Sequence, residues 1–170
     1  DRQGRSMPAG GRGGGRRDRA GFTRAVPVSM TTPGAVARRA AGFDMTVLYH
    51  QRRRVAAEVE SACRATLVGR DELLKRSDIL TLHVPYGPDT HHAIGAREIG
   101  LMKPTAVLVN AARGGIVDDA ALAVALREKR IAAAGLDVFE GEPKVHPDLL
   151  SVPNVVLTPH LGYVVDSSLR

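Results

Sequence analysis

The chain has 170 residues, 44% of them apolar and 25% charged, which suits one domain with a real core and excludes global disorder. No apolar run approaches the roughly 20 residues of a membrane span. The single cysteine, Cys63, excludes an intramolecular disulfide framework and a cysteine-rich zinc site, and points to a cytoplasmic protein.

The net charge of +6 belongs to one end. Residues 1–33 hold seven arginines against Asp1 and Asp18, and the rest of the chain is close to neutral. With three Phe, three Tyr and no Trp, a stacking platform for single strands is poorly supplied, so nucleic acid is not the expected partner. Residues 2–24 are glycine and arginine with almost no aliphatic side chains, a composition that cannot offset its own chain entropy. The segment 1–33 is therefore expected to be a disordered or unrelated tail; an Arg/Gly run also suits RNA, but a solvated tail is the simpler reading.

From Gly34 the pattern becomes regular. Residues 35–41 (AVARRAA) read as a short helix and 45–50 (MTVLYH) as a strand. A helix over 71–76 (DELLKR) leads into an apolar strand, 79–84, and a helical stretch at 96–102 leads into another, 106–110. Residues 118–130 form the best helix pattern, with Asp118 or Asp119 to cap it and Lys129 and Arg130 suited to its C-terminal dipole. Strands at 134–138 and 155–158 follow. Short apolar strands alternating with helices predict an α/β fold, a Rossmann-like doubly wound parallel sheet covered on both faces. The dinucleotide-binding unit is expected over 34–165, with 166–170 beginning a further C-terminal segment.

Ligands of such sheets sit outside the carboxyl ends of the strands. The residues to question are therefore those following each strand: 49–54, 83–85, 110–114, 137–143 and 158–162. His91, His92 and His146 have no carboxylate or cysteine at metal-binding spacing and read as surface residues, so no metal is expected. Cys63 has no activating base nearby in sequence and reads as packing.

Three ordered stretches, VLVNAARGGIVDDAALAVAL (107–126), AGLDVFEGEP (134–143) and NVVLTPHLGY (154–163), resemble the D-isomer-specific 2-hydroxyacid dehydrogenase family. The stretch SDILTLHVP (77–85) with Met102-Lys103-Pro104 fits as well, so the resemblance covers about residues 34–165. It implies hydride exchange between a nicotinamide nucleotide and a small 2-oxo or D-2-hydroxy acid. It also implies that Arg113 grips the substrate carboxylate, that His160 is the acid/base, and that Glu142 hydrogen-bonds His160 and favours its protonated form. Asp137 resembles the aspartate that holds the nicotinamide carboxamide. His83, Val84, Pro85, Ala111, Ala112, Arg113, His160 and Gly162 would line the cofactor crevice. Taken singly, Arg113 is a loop arginine, His160 a strand-end histidine and Glu142 a surface carboxylate; their joint order favours catalysis. A homodimer is the family expectation. The alternative is a non-catalytic nucleotide-binding module resembling the family's corepressor relatives.

After the second strand, where NAD-preferring Rossmann domains place an acidic residue for the ribose hydroxyls, this chain has Gln51, Arg52, Arg53 and Arg54. NADP is thus favoured, as in the family's glyoxylate and hydroxypyruvate reductases, with NAD and a merely solvated basic turn left as alternatives. Two departures stand out. The glycine fingerprint ahead of the first helix would fall on Val28, Met30 and Pro33, none of them glycine. Pro27 argues against a regular first strand, which is expected to be lacking. The substrate domain is absent from these residues, so negligible activity is expected of them alone.

Overall fold

In the computed structural model the described residues are 23–27 and 33–162. Seven strands form one wholly parallel sheet in the order β3-β2-β1-β4-β5-β6-β7. They are β1 (Thr23–Pro27), β2 (Thr46–His50), β3 (Ala65–Leu67), β4 (Ile79–Leu82), β5 (Val107–Asn110), β6 (Ala133–Leu136) and β7 (Val155–Leu157). Six helices connect them: α1 (Pro33–Ala41), α2 (Ala57–Cys63), α3 (Arg70–Arg76), α4 (Ala96–Leu101), α5 (Asp119–Arg127) and α6 (Pro147–Ser151). The order reverses between β1 and β4, the doubly wound arrangement in which ligands bind at the switch point.

The expected lack of a first strand is corrected. β1 lies in the middle of the sheet, paired with β2 from Thr23↔Thr46 to Pro27↔His50 and with β4 at Arg24↔Ile79 and Ala25↔Leu80. Proline is tolerated because it is the last residue of the strand, at the end of the β2 ladder and beyond the ladder to β4, so the absent N–H affects no more than the terminal pair. Residues 23–27 thus belong to the sheet and not to a disordered tail. The remainder of the tail, and with it Val28 and Met30 of the displaced fingerprint, lies outside the described residues. Pro33 is the first residue of α1, a position where its missing N–H has no intrahelical partner to lose.

Both faces of the sheet are covered. Val47 and Leu48, neighbours on β2, are each 1% exposed but belong to different apolar clusters. Since successive strand side chains point to opposite faces, each face has its own core. Val47 packs with Ala37, Ala40 and Cys63 of α1 and α2, while Leu48 joins the larger cluster containing Leu80, Leu108, Leu122 and Leu126. Cys63 is buried there with its Sγ directed at the Gly34 carbonyl, which agrees with a packing role. Asp118 caps α5, its side chain accepting from the Ala121 N–H at 2.9 Å. That helix ends at Arg127, so Lys129 and Arg130 fall in the following turn, where Lys129 adopts a positive φ of 55°. β3, α2 and α6 are short elements that the periodicity did not resolve.

Candidate active site

Parallel strands place all their carboxyl ends along one edge, so the segments after β4, β5, β6 and β7 converge. Between them lies a cleft of about 310 Å³ lined by residues that include Arg113, Glu142, His160 and Tyr86. The three residues expected to be catalytic are thus brought to a single cavity, although 47 positions separate Arg113 from His160 in sequence.

His160 follows β7 in a left-handed conformation with φ 55°. Its Nδ1 lies 2.8 Å from Glu142 Oε2, and the other oxygen of Glu142 accepts from the Phe139 N–H at 2.9 Å. Partial burial pushes the Glu142 carboxyl up, but the hydrogen bonds from His160 and Phe139 outweigh it and leave the group below its ordinary range. Glu142 is thus a carboxylate at neutral pH, and an acceptor fixes which ring nitrogen of His160 faces it.

Asp137, just past β6, holds the segment carrying His160. Its Oδ1 accepts from the Leu161 N–H at 2.8 Å and from the Thr158 hydroxyl, and its Oδ2 accepts from the Gly162 N–H at 2.7 Å. Burial raises its pKa, yet these donors together with the nearby His160 leave it depressed. A Cβ on Gly162 would stand 2.9 Å from Asp137 Oδ2, so a side chain there would displace the carboxylate from its present position.

Arg113 sits in the turn after β5. That turn is held from within by Asn110, which is 1% exposed: its amide donates to the Arg113 carbonyl at 3.0 Å and its oxygen accepts from the Ala112 N–H at 3.1 Å. Gly114 lets this turn press against the segment after β6, because a Cβ there would come within 1.8 Å of the Phe139 carbonyl oxygen. The Arg113 guanidinium is exposed and bonds only the neighbouring Ala112 carbonyl, at 2.7 Å, among the contacts described. Asn110, Gly114, Phe139 and Glu140 fall within the stretches questioned from sequence but were given no role there, and Tyr86 lies just outside them. Asn110 carried a usable signal, a polar residue closing an otherwise apolar strand.

The remaining expected cofactor residues divide. His83 is half-buried with Nε2 3.1 Å from the Thr81 hydroxyl, and desolvation lowers its pKa, so it is neutral at pH 7. Val84 packs against the core and Pro85 is exposed, its carbonyl accepting from Thr90 at 2.8 Å. None of the three lines the cleft itself; they follow β4 and lead into Tyr86, which does. Ala111 is exposed and Ala112 half-buried in the Arg113 turn.

At the end of β2, Gln51 donates to the Arg53 carbonyl, and Arg52 pairs with Asp89 at 2.7 Å, both side chains largely exposed. Arg54 is differently placed: it grips Glu60 in two contacts of 2.8 and 2.9 Å, and Tyr49 donates to the same carboxylate. Hydrogen bonds from Arg54 and then Tyr49 hold Glu60 down at about 2. Arg54 is therefore occupied, and the basic group able to meet an anion narrows to Arg52 and Arg53. With Gln51, these side chains gather donors at the end of β2, and the exposed Asp89 carboxylate stands against Arg52.

The expectation that the histidines lack carboxylate neighbours is corrected for His92, whose Nε2 lies 2.9 Å from Glu140. His146 instead caps α6, accepting from the Asp148 N–H at 3.3 Å.

Comparison with known proteins accords with this geometry. A family model described as the D-isomer specific 2-hydroxyacid dehydrogenase NAD binding domain matches residues 33–162. A glyoxylate reductase from Thermococcus onnurineus is 55% identical over 128 residues, covering 75% of this chain and 38% of that protein. A glyoxylate/hydroxypyruvate reductase B from Enterobacter agglomerans is 48% identical over 130 residues, covering 75% and 40%. The crystal structure of a glyoxylate reductase from Paecilomyes thermophila superposes with a TM-score of 0.80 at 40% identity, covering 87% of this chain and 44% of that one. The chain thus spans about two fifths of the length of the curated relatives it matches.

Proposed function

Because the chain belongs to the D-isomer-specific 2-hydroxyacid dehydrogenase family, we propose that it carries the cofactor-side half of an NADPH-preferring reductase of small 2-oxo acids, glyoxylate or hydroxypyruvate. The observation that carries the reading is the convergence of Arg113, Glu142 and His160 on one cleft, with His160 and Glu142 in contact at 2.8 Å. A nicotinamide nucleotide would be held at Gln51, Arg52, Arg53 and Asp137 and would supply the hydride to the carbonyl carbon of the acid. Arg113 grips the carboxylate and polarises the neighbouring carbonyl. His160 gives a proton to the carbonyl oxygen as the C–O bond loses its double-bond character, and Glu142, 2.8 Å from its Nδ1, orients the ring for that transfer. Oxidation of the hydroxy acid runs the same groups in reverse.

Asp137 sets the position of His160 in this scheme and offers its remaining acceptor capacity to the nicotinamide amide. NADPH preference rests on Gln51, Arg52 and Arg53: the Arg52–Asp89 pair is exposed and weak, so a 2′-phosphate can displace Asp89. A homodimer in a reducing, cytoplasmic setting belongs to the same reading. Among the described residues no helix is long and apolar enough to cross a membrane.

Substrate must be held between two surfaces for hydride and proton to arrive together. These 170 residues are therefore expected to bind nucleotide and turn over negligibly by themselves. Titration of the purified chain with NADPH and NADH, followed by nucleotide fluorescence, tests the proposal. Saturable binding, tighter for NADPH, is expected; binding of neither nucleotide would overturn it, and equal affinity would overturn the phosphate assignment.

A further inference from the structure

We propose that His91, His92 and Glu140 form a binding site for a zinc-type divalent transition-metal ion at the mouth of the cleft. One potential ligand atom from each of the three lies within 4.8 Å of the others. The His92 Nε2 to Glu140 Oε2 separation is 2.9 Å, and the His91 and His92 rings stack with centroids 3.9 Å apart. Tetrahedral zinc, with bonds of about 2.0–2.2 Å, sets neighbouring ligand atoms roughly 3.4 Å apart. Closing the site therefore requires a slight parting of His92 from Glu140 and a small rotation of His91, whose ring is exposed and can make it.

The backbones on both sides are already fixed. The His92 N–H donates to the Gly115 carbonyl at 2.8 Å, and the Glu140 N–H donates to Asp119 Oδ2 at 3.0 Å. Behind the ligands stand the partners that metal-bound histidines use for their second nitrogen. His92 Nδ1 faces Asp118 Oδ2 at 3.9 Å, and His91 Nδ1 lies 3.3 Å from the Tyr86 hydroxyl. Asp118 is itself anchored, its other oxygen accepting from the Ala121 N–H.

Two imidazoles and one carboxylate suit zinc, cobalt or nickel and not the oxygen-seeking magnesium or calcium. Three protein ligands leave a fourth position for water. Glu140 and Tyr86 also line the cleft that holds Arg113, so the cluster adjoins it. The proposal stands independently of nucleotide binding or turnover.

The test is calorimetric titration of the untagged 170-residue protein with zinc chloride, alongside cobalt chloride titration followed by visible absorption. Saturable binding of one equivalent is expected, with the intense d–d bands of four-coordinate cobalt. His92→Ala and Glu140→Gln should each weaken zinc at least ~10-fold. His160→Asn should leave zinc binding unchanged, which separates this cluster from the other His–Glu pair of the cleft. Circular dichroism establishes that each variant is folded, and the cobalt spectrum of the unmutated chain needs no variant. No saturable zinc binding, cobalt bands unchanged by protein, loss of binding in His160→Asn, or magnesium binding as tightly as zinc would each overturn the proposal.

Discussion

Replacing Asp137 with asparagine isolates the device that positions His160. The carboxylate serves three donors, two at Oδ1 and one at Oδ2. An amide can keep its oxygen on only one side, and the favoured orientation places it where Leu161 and Thr158 donate. Its NH₂ then confronts the Gly162 N–H, where the carboxylate accepts at 2.7 Å. A hydrogen bond to a charged acceptor contributes about 1.5–3 kcal/mol, and the exposure of this one lets water offset part of the loss, so a cost of about 1–2 kcal/mol is expected. For a domain of this size that lowers Tm by about 3–6 °C. The pH dependence has a definite sign. Because the folded-state pKa of Asp137 is depressed, its contribution is complete above the unfolded value of about 3.9 and disappears as pH falls through the folded value. Thermal melts of both proteins from pH 7 downward should show a constant gap to about pH 5 that shrinks below about pH 4, where protonated Asp137 resembles asparagine. Hydrogen exchange of the Gly162 amide should accelerate in the variant at pH 7. An unchanged Tm at neutral pH, or a gap undiminished at about pH 3, would refute the clamp.

Gly114→Ala introduces a Cβ 1.8 Å from a backbone oxygen, so the turn carrying Arg113 must separate from the segment after β6. A loss of more than about 3 kcal/mol in urea unfolding is expected, whereas Gly135→Ala on β6, with nothing within 4 Å of its added Cβ, should be neutral within about 1 kcal/mol. Leu108→Ala empties a fully buried position on β5 and should cost about 2–5 kcal/mol by the same measurement. Arg53→Glu should weaken NADPH at least ~10-fold in fluorescence titration while changing NADH far less, since only the former carries a ribose 2′-phosphate to repel; equal losses would remove Arg53 from phosphate selection. Buried Cys63 should react with a disulfide-exchange reagent only on unfolding, and rapid labelling of the native protein would contradict its packing.

Apart from β3, α2 and α6, the strands and helices from residue 34 onward were legible in order because each of those strands is a short apolar run set between helical patterns. Leu80 and Leu108 announce a sheet buried on both faces without any tertiary information. The first strand was misread because Pro27 was weighed as an interior residue, when its place at the strand's end, beyond the pairing with β4, makes it harmless. β3, three residues on the sheet's edge, is too short to carry a period. At the site, Arg113, Glu142 and His160 were legible through motif order. The pairing of His92 with Glu140 was not: it joins residues 48 apart through the packing of two loops, and spacing along a chain holds no record of that. Arg54 illustrates the reverse. It looked like part of an anion site, but Glu60, six residues on and across the turn, takes up its charge.

The cleft combines parts of unequal rigidity, and the difference follows their chemical tasks. Proton transfer demands tight placement, and His160 is fixed from several sides: its N–H donates to the Asp137 carbonyl at 2.9 Å, its ring meets Glu142, and the next two residues bond the Asp137 carboxylate. Such bonds are made before any substrate arrives, so their ordering cost is borne by folding and not by the reaction. Arg113 is held only at its backbone, by Asn110, and its guanidinium rests on the adjacent Ala112 carbonyl. An exposed arginine in that position can swing to a carboxylate that exceeds a backbone oxygen in charge and accepts from two of its nitrogens. On the proposed reading, binding of a 2-oxo acid would order the Arg113 side chain onto a wall where His160, the proposed acid/base, is already held.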